Sequence, residues 1–196
     1  MASTRSRRAR VTIGLVAGGC VVLVGAWFSF GVSGEVFLVD SAGTAHVAPG
    51  AMVRVFRADG KSVAGFLYSA EHMAHDAEFE RERKERSESH LASIQAAGDN
   101  RERLDFLAEN FEFLERSYDW TRCRKFRDDS VRYFGTAVGF TRADQQGRFS
   151  VRLLPGKYVV WATGQAGSRH AEWLVDIQVI WRTNVRLVDA ACEYQQ

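Results

Sequence analysis

The chain has 196 residues, 46% of them hydrophobic, and a formal net charge of +2. That length suits one modest domain plus an additional segment, with enough apolar residues for a real core. Arg5, Arg7, Arg8 and Arg10 carry the surplus; from Glu35 onward 22 basic residues face 24 acidic ones, so the body lacks the basic bias of a nucleic-acid binder.

Val11 to Gly34 is a run of 24 residues without a charge. A bilayer core takes roughly 20 apolar residues, and Val11 to Phe30 supplies them, with Trp27 and Phe28 at the level of an aromatic belt. The spacing predicts a membrane helix over 11–33 behind a cytoplasmic basic tail, 1–10, placed there by the positive-inside rule. The body then stands outside the cytoplasm, on a bacterial inner membrane. Val32-Ser33-Gly34 offers a signal-peptide reading, but such apolar regions run about 7–15 residues, shorter than this one. Cys20 reads as a small residue within the span, because Ala17-Gly18-Gly19 is a poor lipoprotein box and the apolar run continues beyond it.

Three segments follow. Residues 34–68 read as strands: Glu35 to Val39, a turn at Ser41-Ala42-Gly43, a turn at Pro49-Gly50, Met52 to Arg57, the turn Asp59-Gly60, and the apolar run Val63 to Tyr68. Residues 69–132 contain no proline and no alternation. Ser69 to Ala97 is rich in helix formers, with Glu80 and Lys84, and Glu82 and Arg86, as i,i+4 pairs. Gly98-Asp99-Asn100 breaks the run, and Asp99 or Asn100 caps a second helix. On that helix Leu104, Leu107, Phe111, Leu114 and Tyr118 form one stripe, widened by Phe106 and Phe113. An antiparallel helical hairpin is expected, its first helix about 43 Å long. Residues 133–196 return to strands: Phe149, Val151 and Leu153 alternate with Arg148, Ser150 and Arg152, Pro155-Gly156 fits a type II turn, and Tyr158 to Thr163, Glu172 to Trp181 and Thr183 to Val188 follow.

Joined end to end, 34–68 and 133–196 resemble the carboxypeptidase regulatory-like domain. The matching residues are Ser33-Gly34-Glu35-Val36, Ala48-Pro49-Gly50-Ala51-Met52-Val53-Arg54-Val55, Thr141 to Phe149, and Leu154-Pro155-Gly156-Lys157-Tyr158. The Thr141 motif has one extra residue and lacks the usual acid after the threonine. The resemblance implies a seven-stranded, antiparallel, transthyretin-like sandwich, interrupted by the hairpin, acting as a folding or interaction module without catalysis.

For chemistry, the best cluster is Glu71-His72-x-x-His75-Asp76, where two i,i+4 pairs share a helix face. A metal centre needs three or four converging ligands, so a solvated helix start explains the cluster better and no metal or cofactor is expected. No nucleophile, base and orienter assemble into an enzyme site. Residues 69–121 hold 14 acids and 7 bases, and Arg122, Arg124, Lys125, Arg127 and Arg132 follow. Such polarity suits a partner protein, and Phe106, Phe111, Phe113, Tyr118, Arg122, Arg124 and Lys125 are the expected contact residues on another envelope protein. Oligomerisation through the stripe, and a sensor using His72 and His75, are the competing readings. Cys123 and Cys192 fall where disulfides form; their spacing leaves a bond and two free thiols both open.

Overall fold

The structure, a computed structural model, describes residues 30–40, 42–188 and 190–195. The described elements are β1 (Gly31–Val39), β2 (Ala45–Val47), β3 (Met52–Arg57), α1 (Val63–Leu67), α2 (Ala70–Ala97), α3 (Arg101–Phe134), β4 (Ala137–Arg142), β5 (Arg148–Arg152), β6 (Gly156–Ala166), β7 (Arg169–Val179), β8 (Arg182–Leu187) and β9 (Cys192–Gln195). The body is thus built from strands, with a helical region inserted between β3 and β4. The expected tail, Cys20 and most of the expected membrane span lie outside the described residues. Among the described residues no helix is long and apolar enough to cross a membrane.

The end of the expected span needs correction. Gly31 to Ser33 belong to β1, not to a helix reaching residue 33. Both edges of that segment are occupied, by β5 in antiparallel register and by β8 in parallel register. Ladder hydrogen bonds on two sides outweigh any continuation of a helix. Gly34 makes the close approach to β8 workable: a Cβ there would sit 2.1 Å from the Val185 carbonyl oxygen.

One sheet holds β1, β2, β5 and β8; the other runs β4-β3-β6-β7-β9. The expectation of seven strands, all antiparallel, is corrected twice. Nine strands occur among the described residues, because β2, β4 and β9 join the expected set and Val63 to Tyr68 leaves it. The β1–β8 pair is parallel, since the chain crosses from β7 to the opposite sheet and re-enters beside β1 in the same direction. Val63 to Leu67 is a helical turn rather than a strand. Ser62 Oγ accepts from the Gly65 N–H at 3.0 Å, and the Asp176 carboxylate accepts from the Val63 N–H at 3.0 and 3.1 Å. These caps, with burial of Phe66, override the β preference of the run. The helical region therefore spans α1 to Phe134, wider than 69–132. Gly156 also departs from the type II expectation: it is absent from the glycines with positive φ and opens β6 instead.

Two cores result. Val36, Val53, Val55, Phe149, Val160 and Trp173 are among the residues packed between the sheets. Phe56, Phe66, Phe126, Phe134, Val159 and Trp161 form a second core between the outer face of the larger sheet and the roots of the helices. That sheet is therefore covered on both faces. This explains why Tyr158 to Ala162 is buried without alternation, as in strands enclosed on two sides.

The registers orient the molecule. Gly31, Arg57, Gly156, Val179 and Arg182 gather at one end, where β1 begins. Helix α3 lies over the larger sheet from that end, with the Phe134 ring 5.9 Å from Phe56, towards the opposite end. There Asp119, Arg122, Leu38, Val39 and Val188 line one cavity.

Candidate functional site

Helices α2 and α3 are each capped by a side chain. Ser69 Oγ accepts from the His72 N–H at 3.3 Å, and Asn100 Oδ1, rather than Asp99, accepts from the Arg103 N–H at 3.1 Å. Gly98 at the tip has φ of 56° and ψ of −128°, a positive-φ conformation open to a residue without Cβ.

The contacts between α2 and α3 descend in antiparallel order. Arg132 donates to Glu71 at 2.7 Å, His75 Nδ1 lies 2.8 Å from Asp129, and Arg122 donates to Asp76 at 2.7 Å. Further out, the Tyr118 hydroxyl donates to the Phe79 carbonyl, Arg83 pairs with Glu115 at 3.4 Å, and His90 stacks on Phe111 with centroids 4.0 Å apart. Arg86 lies over the Tyr118 ring at 3.9 Å. The seam beyond the root is thus largely polar. Within 80–117 the only buried described residue is Ala97. Two-helix pairs ordinarily place their apolar positions in the seam; here several face outward.

The predicted contact residues separate accordingly. Phe111 and Tyr118 turn inward against His90 and Phe79. Arg122 is held by Asp76 and Glu80, and Lys125 by Asp129. Phe106 and Phe113 are 65% and 68% exposed, so they extend no covered stripe. Arg124 lies 5.4 Å from the Trp120 ring, which is itself exposed. Trp120 completes a series with Phe106 and Phe113 at intervals of seven, which keeps all three on one face of α3. The heptad interval was readable in the sequence, but the inward stripe at 3,4 spacing competed with it.

At the root, Asp129 is 4% exposed and its carboxylate is flanked by His75, Lys125 at 3.2 Å and Arg132 at 3.9 Å. Glu71, His75 and Asp129 have ligand atoms within 4.8 Å of one another, but the two cations already neutralise the carboxylates a metal would use. His72, the other half of the predicted pair, points elsewhere: it stacks on Phe66 at 4.7 Å, and burial lowers its pKa below the ordinary histidine value. The root is therefore a network that clamps α2 to α3. Asp129→Ala is expected to destabilise the protein by about 1–3 kcal/mol, since it leaves the half-buried His75 and Lys125 without their carboxylate partner. Urea unfolding of the variant measures this, and a midpoint equal to that of the unaltered chain contradicts the clamp.

Of the alternatives left by cysteine spacing, the structure has the bond: Cys123 and Cys192 form a disulfide, joining α3 to β9. Next to it Glu172 is 4% exposed, accepting from the Thr163 hydroxyl at 3.0 Å, with Oε2 lacking a hydrogen-bond partner. Burial pushes its carboxyl up to about 8, against the opposing pull of Thr163, Arg127 and Arg54. Neither Asp129 nor Glu172 stands out in the sequence, because each acquires its surroundings from elements distant along the chain.

No protein-family model matches the chain, and no curated protein matches it. Among solved structures, the pilus backbone protein RrgB of Streptococcus pneumoniae is 14% identical, with a TM-score of 0.29, over 81% of this chain and 40% of that one. The chain thus spans 40% of the length of that pilus backbone, and agreement this slight transfers neither fold nor function.

Proposed function

We propose that the protein is a non-enzymatic, membrane-anchored envelope module that holds another envelope protein through its helix pair. The observation that carries this reading is the inverted polarity of α2 and α3: ionic groups and histidine fill much of the seam, while Phe106, Phe113 and Trp120 lie outside. A surface of large exposed aromatics on one helix face has the character of an interface. The surrounding stretch 69–121, with 14 acids against 7 bases, selects a partner whose apolar patch is rimmed by basic residues. The disulfide supports a body outside the cytoplasm, because such bonds persist in oxidising compartments. The 24-residue uncharged run supports the anchor. The quoted motifs support a carboxypeptidase regulatory-like body, serving as the platform for the helices.

Crosslinking in cells tests the reading. The double substitution Phe106→Ser with Phe113→Ser is expected to leave stability within about 0.5 kcal/mol, as for exposed positions, while removing the crosslinked partner. Deleting 80–117 should remove the same species. A partner profile unchanged in both variants sinks the proposal.

A further inference from the structure

We propose that the end of the body at which β1 begins is itself a membrane-contact face, seated on an anionic bilayer through Ile180, Trp181 and Leu154. This rests on the reading that the apolar run ending at Phe30 crosses the membrane. The Gly31 N–H donates to the Trp181 carbonyl at 3.1 Å, and the Phe30 ring meets the Trp181 ring edge-on at 4.9 Å. The point where the chain enters the body is therefore in direct contact with the β7–β8 turn. That turn carries Ile180 at 71% and Trp181 at 56% exposure. The Gly156–Val179 register brings the β5–β6 turn alongside, and its Leu154 is also exposed. Three large apolar side chains thus surround the entry point, on an end whose neighbouring exposed residues include Lys157 and Arg182. Aromatic and aliphatic tips with basic neighbours match the boundary between acyl chains and anionic headgroups.

Tethering strengthens the match. No spacer separates Phe30 from β1, so a bilayer holding the preceding run lies within a few residues of these turns. Contact at this end also sets direction. Helix α3 crosses the sheet away from it and passes Asp119 at the far end, and Arg101 to Arg122 adds about 33 Å at 1.5 Å per residue. The aromatic face of α3 is then presented away from the bilayer.

The test uses the full chain in vesicles of phosphatidylglycerol and phosphatidylcholine brominated near the glycerol end of the acyl chains. Tryptophan quenching is compared between the unaltered chain and Trp181→Phe, after flotation in alkaline carbonate. The expected result is co-flotation of both, with loss in Trp181→Phe of a quenched emission component. Ile180→Glu combined with Leu154→Glu, both at exposed sites, should lose the quenching of Trp181 while circular dichroism stays the same. Equal quenching in the unaltered chain and Trp181→Phe, or quenching of Trp181 that survives the double glutamate variant, overturns the contact face alone. Failure to co-float overturns the anchor and the contact face together.

Discussion

Exchanging Cys192 for serine is expected to lower the unfolding free energy by about 4 kcal/mol, read from urea unfolding without reductant. The bond joins residues with a sequence separation of 69, and the denatured chain's loss of freedom grows with the logarithm of that loop. The consequence is local as well as global. β9 is held to the body by four register pairs with β7 and by its disulfide to α3, so without the bond β9 should open first. Hydrogen exchange should then rise at 192–195 and over α3 from Cys123 to Phe134 before it rises in β6. Reduction of the unaltered chain should reproduce the serine variant. Equal midpoints for oxidised and reduced protein would show that the bond adds nothing to the hold on α3 and β9.

Glu172 yields the second large effect, as a dependence on pH. In the unfolded chain its carboxyl titrates near the ordinary value of 4.5, whereas burial raises it to about 8 in the folded protein. Between those values the folded chain keeps a proton that the unfolded chain has released. Unfolding free energy therefore falls as pH rises through the window, is level below it, and has lost the whole contribution above about 8. At about 1.4 kcal/mol for each unit, the loss is on the order of a few kcal/mol. The charged groups acting on Glu172 are Arg127 from α3 and Arg54 from β3, with Tyr194 of β9 coupled to it. Glu172→Gln imitates the protonated acid without titrating. It should match the unaltered chain near pH 5 and exceed it in urea midpoint near pH 9. Parallel pH profiles for the two proteins would rule out Glu172 as the source.

Both effects arise at the junction between α3, β7 and β9, and that junction shows how far the amino-acid order reaches. The alternation of Phe149, Val151 and Leu153 with Arg148, Ser150 and Arg152 predicted a strand with one buried face, and β5 has that pattern. The period of two is local, so no distant residue is needed to read it. The helical run after Ser69 and the break at Gly98 are legible for the same reason. Val63 to Tyr68 reads as a strand but folds as a helical turn, because its β preference is weaker than the Ser62 cap together with one supplied by Asp176, more than a hundred positions away.

Sequence alone thus determined a strand-rich body with an inserted helical region, a near-neutral body behind an arginine-rich beginning, and an uncharged run of bilayer length. Tertiary structure decided the rest. It paired Cys123 with Cys192, turned Phe111 and Tyr118 inward while leaving Phe106 and Phe113 outside, and set His75 against Asp129. It also covered the larger sheet on both faces and placed Glu172 beneath α3. The physical reason is range: helix and strand patterns follow from neighbours a few residues apart, whereas burial, pairing and a shifted carboxyl follow from segments that meet only after the chain has folded.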